Sequence, residues 1–153
     1  MRIDLAPSDW HRYRVERVWV DLLADGTARL RNNPFYAYGL SFGDRVKVDF
    51  REDELVFVQL LESGGHRTYR IIVPRKFDAA AEAAFERRWA PLHALGCRYE
   101  STGGRMNLFS VDVPPTADYE AAEALLQAGC EDSTWDFEQA NPPPKPEPPA
   151  TGH

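Results

Sequence analysis

The second half of the chain carries the same punctuation twice. Residues 69–73 read as a strand that stops at Pro74; a helical pattern follows, and Leu95-Gly96-Cys97 leads into the next strand. Residues 109–113 stop at Pro114, a second helical pattern follows, and Ala128-Gly129-Cys130 leads out of it. Val73 and Cys97 are 24 positions apart and Val113 and Cys130 are 17 apart, so the first helix is longer by 7 residues, about two turns. A duplicated unit of this kind predicts the ferredoxin-like split arrangement, β-α-β-β-α-β. Right-handed crossovers then put both helices on one face of a four-stranded sheet in the order 4-1-3-2. Strands 2 and 4 lie at opposite edges about 14 Å apart, so Cys97 and Cys130 are expected to be reduced, small residues where each helix feeds its strand.

Local signals place the elements. Asp78 is an N-cap with Glu82 near the first turn, and Ala81, Phe85, Trp89, Leu92 and Leu95 recur at helical spacing. Pro91 is expected to kink or divide this helix, and Gly96 to close it. Strands over 97–100 and 106–113 flank a Gly103-Gly104 turn. A second helix opens at Asp118 and runs through Tyr119, Ala122 and Leu126 to Gly129, and residues 134–138 supply the last strand.

The first half has a β grammar. Residues 12–23, RYRVERVWVDLL, alternate with Tyr13, Val15, Arg17 and Trp19 on one side and Arg14, Glu16, Val18 and Val20 on the other. This reads as one strand with one face mostly buried. Ala24-Asp25-Gly26 turns the chain into a short return strand over 27–31, Asn32-Asn33-Pro34 breaks it, and an aromatic loop follows, YGLSFGD at its centre. Strand patterns over 45–50 and 55–61 complete a small, partly open β-barrel. The expected organisation is α+β: an N-terminal segment 1–11, a β-barrel 12–65, a ferredoxin-like unit 66–138 and a tail 139–153. Six of the chain's 12 prolines fall in that tail, which predicts a disordered polyproline II segment, either a passive tail or a ligand for an aromatic groove.

Charge narrows the function. The 153 residues carry a net charge of -6, and residues 114–153 hold one basic against eight acidic side chains. Nucleic-acid binding there is disfavoured, because phosphate recognition relies on Lys and Arg. A basic protein partner is favoured instead, with Glu131, Asp132, Asp136 and Glu138 as the candidate surface. No membrane span and no signal pattern can be written, so the expected location is cytoplasmic. His11, His66, His93 and His153 lack the spacing of a zinc site, and the common nucleophile and phosphate-loop motifs are absent, so no metal, no cofactor and no standard enzyme class is expected.

One constellation could still do chemistry. Tyr36, Tyr38, Ser41 and Asp44 on the aromatic loop, with His66, Arg67, Tyr69 and Arg70, supply a histidine, a carboxylate and phenols suited to general acid–base work if they converge. The alternative is structural: Phe35, Tyr38 and Phe42 plug the barrel and Asp44 caps the turn after Gly43. The leading functional reading is a non-enzymatic regulatory or inhibitory, immunity-type protein-binding module using the acidic surface. Its rival is a small-molecule binder or unusual enzyme, which requires Tyr36, Tyr38 and His66 to line one pocket.

Residues 17–20 (RVWV), 33–44 (NPFYAYGLSFGD), 63–70 (SGGHRTYR), 95–100 (LGCRYE), 111–114 (VDVP) and 135–138 (WDFE) resemble a bacterial family known only as a domain of unknown function. The resemblance covers roughly residues 13 to 138 and implies no particular activity. The second half is similar, in fold and acidic finish, to the ribonuclease E inhibitor regulator B.

Overall fold

The computed structural model describes residues 1–73, 76–102 and 107–141. They form an α+β protein of ten strands in two sheets with two helices. Among the described residues no helix is long and apolar enough to cross a membrane.

The first sheet holds β1 (Arg2–Asp4), β2 (Val15–Arg17), β3 (Val20–Leu22), β4 (Ala28–Leu30), β5 (Arg45–Arg51) and β6 (Glu54–Glu62), in the order β2-β1-β6-β5-β4-β3. Its two edge strands, β2 and β3, are separated in the chain by only Val18 and Trp19. Three Cα steps span at most about 11 Å, whereas five strand spacings laid flat would span about 24 Å. The sheet must therefore curl until its edges approach, and the expected partly open barrel is a curled half-barrel. The Val18 N–H donates to the Met1 carbonyl and the Arg31 N–H to the Trp19 carbonyl on either side of this seam. Ile3, Val18, Ala28, Leu30, Leu40 and Val46 fill the hollow.

Two expectations about this half change. Residues 1–11 are not a separate segment, because β1 pairs antiparallel with β2 and parallel with β6 and buries Ile3. The run 12–23 is two strands, since its alternation continues unbroken through the bend that closes the sheet. Its buried side is the one that carries Glu16 and Val18, while Trp19 is 81% exposed.

The second sheet holds β7 (Arg67–Ile72), β8 (Arg98–Ser101), β9 (Leu108–Val113) and β10 (Asp136–Asn141), all antiparallel, in the order β10-β7-β9-β8. This is the 4-1-3-2 order expected of the duplicated pattern. Helices α1 (Ala79–Ala94) and α2 (Tyr119–Glu131) pack together on one face, over Tyr69, Ile71, Phe109, Val111 and the fully buried Trp135. Asp78 caps α1 by accepting the Ala81 N–H at 2.9 Å, and Asp118 caps α2 through Glu120 and Ala121. Gly96 closes α1 in the left-handed region, φ +96°.

Pro91 does not divide α1. The hydrogen bond that it forfeits would end at Arg87, and both residues are exposed, so the freed carbonyl lies on the solvent side of the helix. Gly129 is not the end of α2 but a buried position within it, and Cys130 is a half-exposed helical residue. β10 runs past residue 138 to Asn141, with Ala140 and Asn141 buried, so residues 139–141 belong to the sheet rather than to the tail. The Gly103-Gly104 turn, Pro74 and the tail from Pro142 onward lie outside the described residues.

Candidate functional site

Alternation gives the second sheet one apolar and one polar face. Directly opposed residues share a face, so two cross-strand rows face away from the helices: Arg98, Asp112 and Thr68, and Glu100, Ser110, Arg70 and Glu138. Such a face usually meets water. Here residues 33–44 cover most of it, and Thr68, Arg70 and Ser110 are buried beneath them.

Every join is a hydrogen bond to that loop. Ser110 Oγ donates to the Pro34 carbonyl at 3.0 Å, and the Arg70 guanidinium donates to the Ala37 carbonyl and, at 3.2 Å, to Glu138. Thr68 Oγ1 donates to the Leu40 carbonyl, which uses its one proton. Ser41 must therefore donate to Thr68, at 2.5 Å, while accepting from the Asn141 amide at 2.7 Å. The loop is held from its other side by Glu16, whose carboxylate accepts the N–H groups of Phe35, Tyr36 and Ala37 at 2.5, 3.0 and 3.0 Å. Asp44, fully buried, accepts from Ser41 and Gly64, both at 2.9 Å.

The loop stops short of β8, and the uncovered end of the polar face is a cleft of about 530 Å³. Arg31, Asn33 and Phe42 form one wall and Arg98, Glu100 and Asp112 the other, with His66 between them. His66 Nδ1 lies 2.7 Å from Asp112 Oδ1. A carboxylate only accepts, so Nδ1 carries a proton in its bond to Asp112. Among the described residues Nε2 has no hydrogen-bond partner. The ring leans on Phe42 (centroids 5.0 Å) and on Gly43, where an added Cβ would stand 3.6 Å from His66 Cδ2. Gly43 has φ +83°, so alanine there is strained by its backbone, while its Cβ would only touch the imidazole. Arg98 is exposed and has no ion-pair or hydrogen-bond partner among the described residues. Arg31 shares its charge with Asp21 at 3.4 Å.

The arrangement can orient an anionic group between the guanidiniums and exchange a proton at Nε2. The Ser110 hydroxyl is committed to the Pro34 carbonyl, while Thr116 also lines the cleft. Beneath the cleft, burial and the nearby Asp112 push the Cys97 thiol up to about 11. Iodoacetamide at pH 8 should therefore label Cys130 in the native protein and leave Cys97 untouched until the chain unfolds, as read by peptide mass spectrometry.

Burial also raises the Asp44 carboxyl above its ordinary 3.8, against the opposing pull of the Gly64 and Ser41 N–H groups and His66. A carboxyl raised on folding binds its proton more tightly in the native state, so stability falls as pH rises from 3.8 through the folded value. The stability margin of the wild type over Asp44→Asn should accordingly shrink as pH rises through that window in urea titrations; a growing margin would contradict it.

The structure separates the expected constellation. Ser41 and Asp44 are buried fasteners, and His66 alone reaches the cleft. Tyr36 and Tyr38 line a different cavity with Trp10 and His11. Arg67 stacks over Tyr119 at 4.0 Å, and Tyr69 lies on the helix side, where its hydroxyl donates to Glu123 at 2.7 Å. The acidic surface is also partly consumed: Asp132 pairs with Arg88 at 2.6 Å, and Glu138 takes Arg70 and the Tyr38 hydroxyl, leaving Glu131 and Asp136 exposed. Sequence reading missed Asp112, Arg98 and Glu16. Asp112 could have been found from the register, which sets it opposite Thr68, two positions after His66.

The family described as domain of unknown function (DUF4265) matches residues 16–137. No curated protein matches the chain. Among solved structures, a hypothetical protein from Neisseria gonorrhoeae has the same fold, with a TM-score of 0.69, 21% identity, and 91% of this chain and 92% of that one covered.

Proposed function

The chain belongs to the DUF4265 family, and we propose from its geometry that it is a small-molecule-binding protein whose ligand is an anion held in the His66 cleft. The carrying observation is that, among the described residues, the Nε2 of a histidine fixed by Asp112 and the Arg98 side chain have no partner, in a cleft of small-ligand size. We read the second half as a ferredoxin-like unit whose polar face is covered by residues 33–44 except where a ligand enters. The acidic partner surface is the weaker reading, because two of its four carboxylates are already paired. Reduced Cys97 and Cys130 suit a cytoplasmic setting.

A thermal-shift panel of small carboxylates and phosphate esters tests this. At a hundredfold excess over Kd, a specific ligand should add about 2.7 kcal/mol of stability, roughly 5–10 °C for a chain of this size. His66→Ala and Arg98→Ala should each abolish most of the shift. A shift that survives both substitutions places the ligand elsewhere.

A further inference from the structure

A second cavity, of about 570 Å³, shares no lining residue with the His66 cleft. It runs between residues 3–11 and the aromatic loop and is walled by rings: Trp10, Tyr36, Tyr38 and Phe57. The rings are held in place. Tyr36 stacks on Tyr13 at 4.5 Å and tilts against Trp10 at 5.6 Å, while Tyr38 is pinned by its hydroxyl to Glu138 and backed by the Arg70 guanidinium at 4.6 Å. Tyr38 nevertheless leaves half its surface to solvent. A groove of fixed aromatic faces with polar rims is the surface on which polyproline II segments dock, because the proline helix is preformed and its rings pack flat on aromatic ones.

We propose that the occupant is the chain's own proline-rich segment, residues 142–149, docked in cis. Three observations point to it. The first is position: the Gly39 N–H donates to the Ala140 carbonyl and Asn141 donates to Ser41, so the described chain ends beside Gly39, whose neighbours Tyr38 and Leu40 line the groove. Eight residues in this conformation reach about 25 Å from that point.

The second is pattern. At three residues per turn, Pro143, Pro146 and Pro149 form one edge and Pro142, Lys145 and Pro148 the next. The remaining edge carries Pro144 and Glu147, the only acid. Two edges can therefore face the rings while the acid faces away. The third is charge. Asp4 and Asp9 stand exposed on the groove, Asp9 with no partner among the described residues, and Lys145 is the only Lys or Arg after residue 113.

The test compares the full chain with a variant ending at Asn141, which keeps every described residue. The Trp10 indole N–H and the Tyr38 ring are followed by NMR, and a synthetic peptide of residues 142–153 is titrated into each protein. Docking in cis predicts that truncation shifts both signals. It also predicts that the peptide returns them toward their full-chain positions with saturable binding, at least tenfold tighter to the truncated protein than to the full chain. Trp10→Ala in the truncated protein, or Lys145→Glu in the peptide, should weaken that binding by at least threefold. In the full chain, replacing the six tail prolines with serine should reproduce the truncation shifts. Identical Trp10 and Tyr38 signals in full and truncated chains overturn the proposal. Equal peptide affinity for both also overturns it, and would make the groove a site for a proline-rich segment of another protein.

Discussion

Glu16→Ala should cost about 3–5 kcal/mol, the largest loss expected from any single charge removal in this chain. The carboxylate is the shared acceptor for three successive N–H groups, Phe35, Tyr36 and Ala37. It is 8% exposed, so water replaces it poorly. A buried donor left without a partner costs about 1–3 kcal/mol, and bonds to charged groups lie at the upper end. For a chain of this length the loss corresponds to a fall in Tm on the order of 10 °C. Glu16→Gln should lie in between, since one amide oxygen can serve only part of the set. The damage should spread to function, because the same loop carries Asn33 and Phe42 into the His66 cleft. Urea denaturation reads the energy; a loss below 1 kcal/mol would mean that the loop holds its shape without this anchor.

Gly129→Ala should be comparably severe for the opposite reason, too much matter rather than too few partners. A Cβ at this position would stand 2.3–2.6 Å from three indole atoms of Trp135. The indole has nowhere to go: it is fully buried, donates through Nε1 to the Leu126 carbonyl at 2.8 Å and packs edge-on against Phe85 at 5.4 Å. Relief requires α2 to lift from the sheet, at about 3 kcal/mol or more. Trp135→Phe removes part of the clashing ring, so the double variant should lose less than the sum of the two single changes. Gly39→Ala is the control. Its added Cβ meets nothing within 4 Å, and only the left-handed backbone penalty of about 1–2 kcal/mol remains.

These two positions mark where sequence reading reaches and where it stops. The duplicated second half was legible because its signals are local: Asp78 and Asp118 at helix starts, Gly96 after a helix, apolar residues at helical spacing. Gly129 misled by the same logic, since a glycine near a helix end resembles a cap, while its tight fit to Trp135 depends on a strand that returns to the helix. Residues 12–23 misled because a bend does not interrupt period-two alternation.

The site was less legible than the fold. Thr68, Arg70, Ser110 and Glu138 alternate with apolar neighbours, which reads as a solvent face. They are instead a hydrogen-bonded layer under a loop, with Ser110 and Pro34 76 residues apart in the chain. The available hint lies in the residue types, since short hydroxyls such as Thr68 and Ser110 suit a buried, satisfied layer better than a wet surface. His66 was grouped with Tyr36 and Tyr38 in one candidate pocket, but the loop carries the two tyrosines to a different cavity. The strap-like role of Glu16 had no sequence signature at all, because a carboxylate on an alternating strand normally faces water.

The most direct test of the account is the ¹⁵N spectrum of the His66 imidazole, recorded with and without the small anion that gives the largest thermal shift. The account predicts a protonated Nδ1 hydrogen-bonded to Asp112, and an Nε2 resonance that moves as the anion saturates and stays still in Arg98→Ala. An unprotonated Nδ1, or an Nε2 signal indifferent to every anion that stabilises the protein, would contradict it.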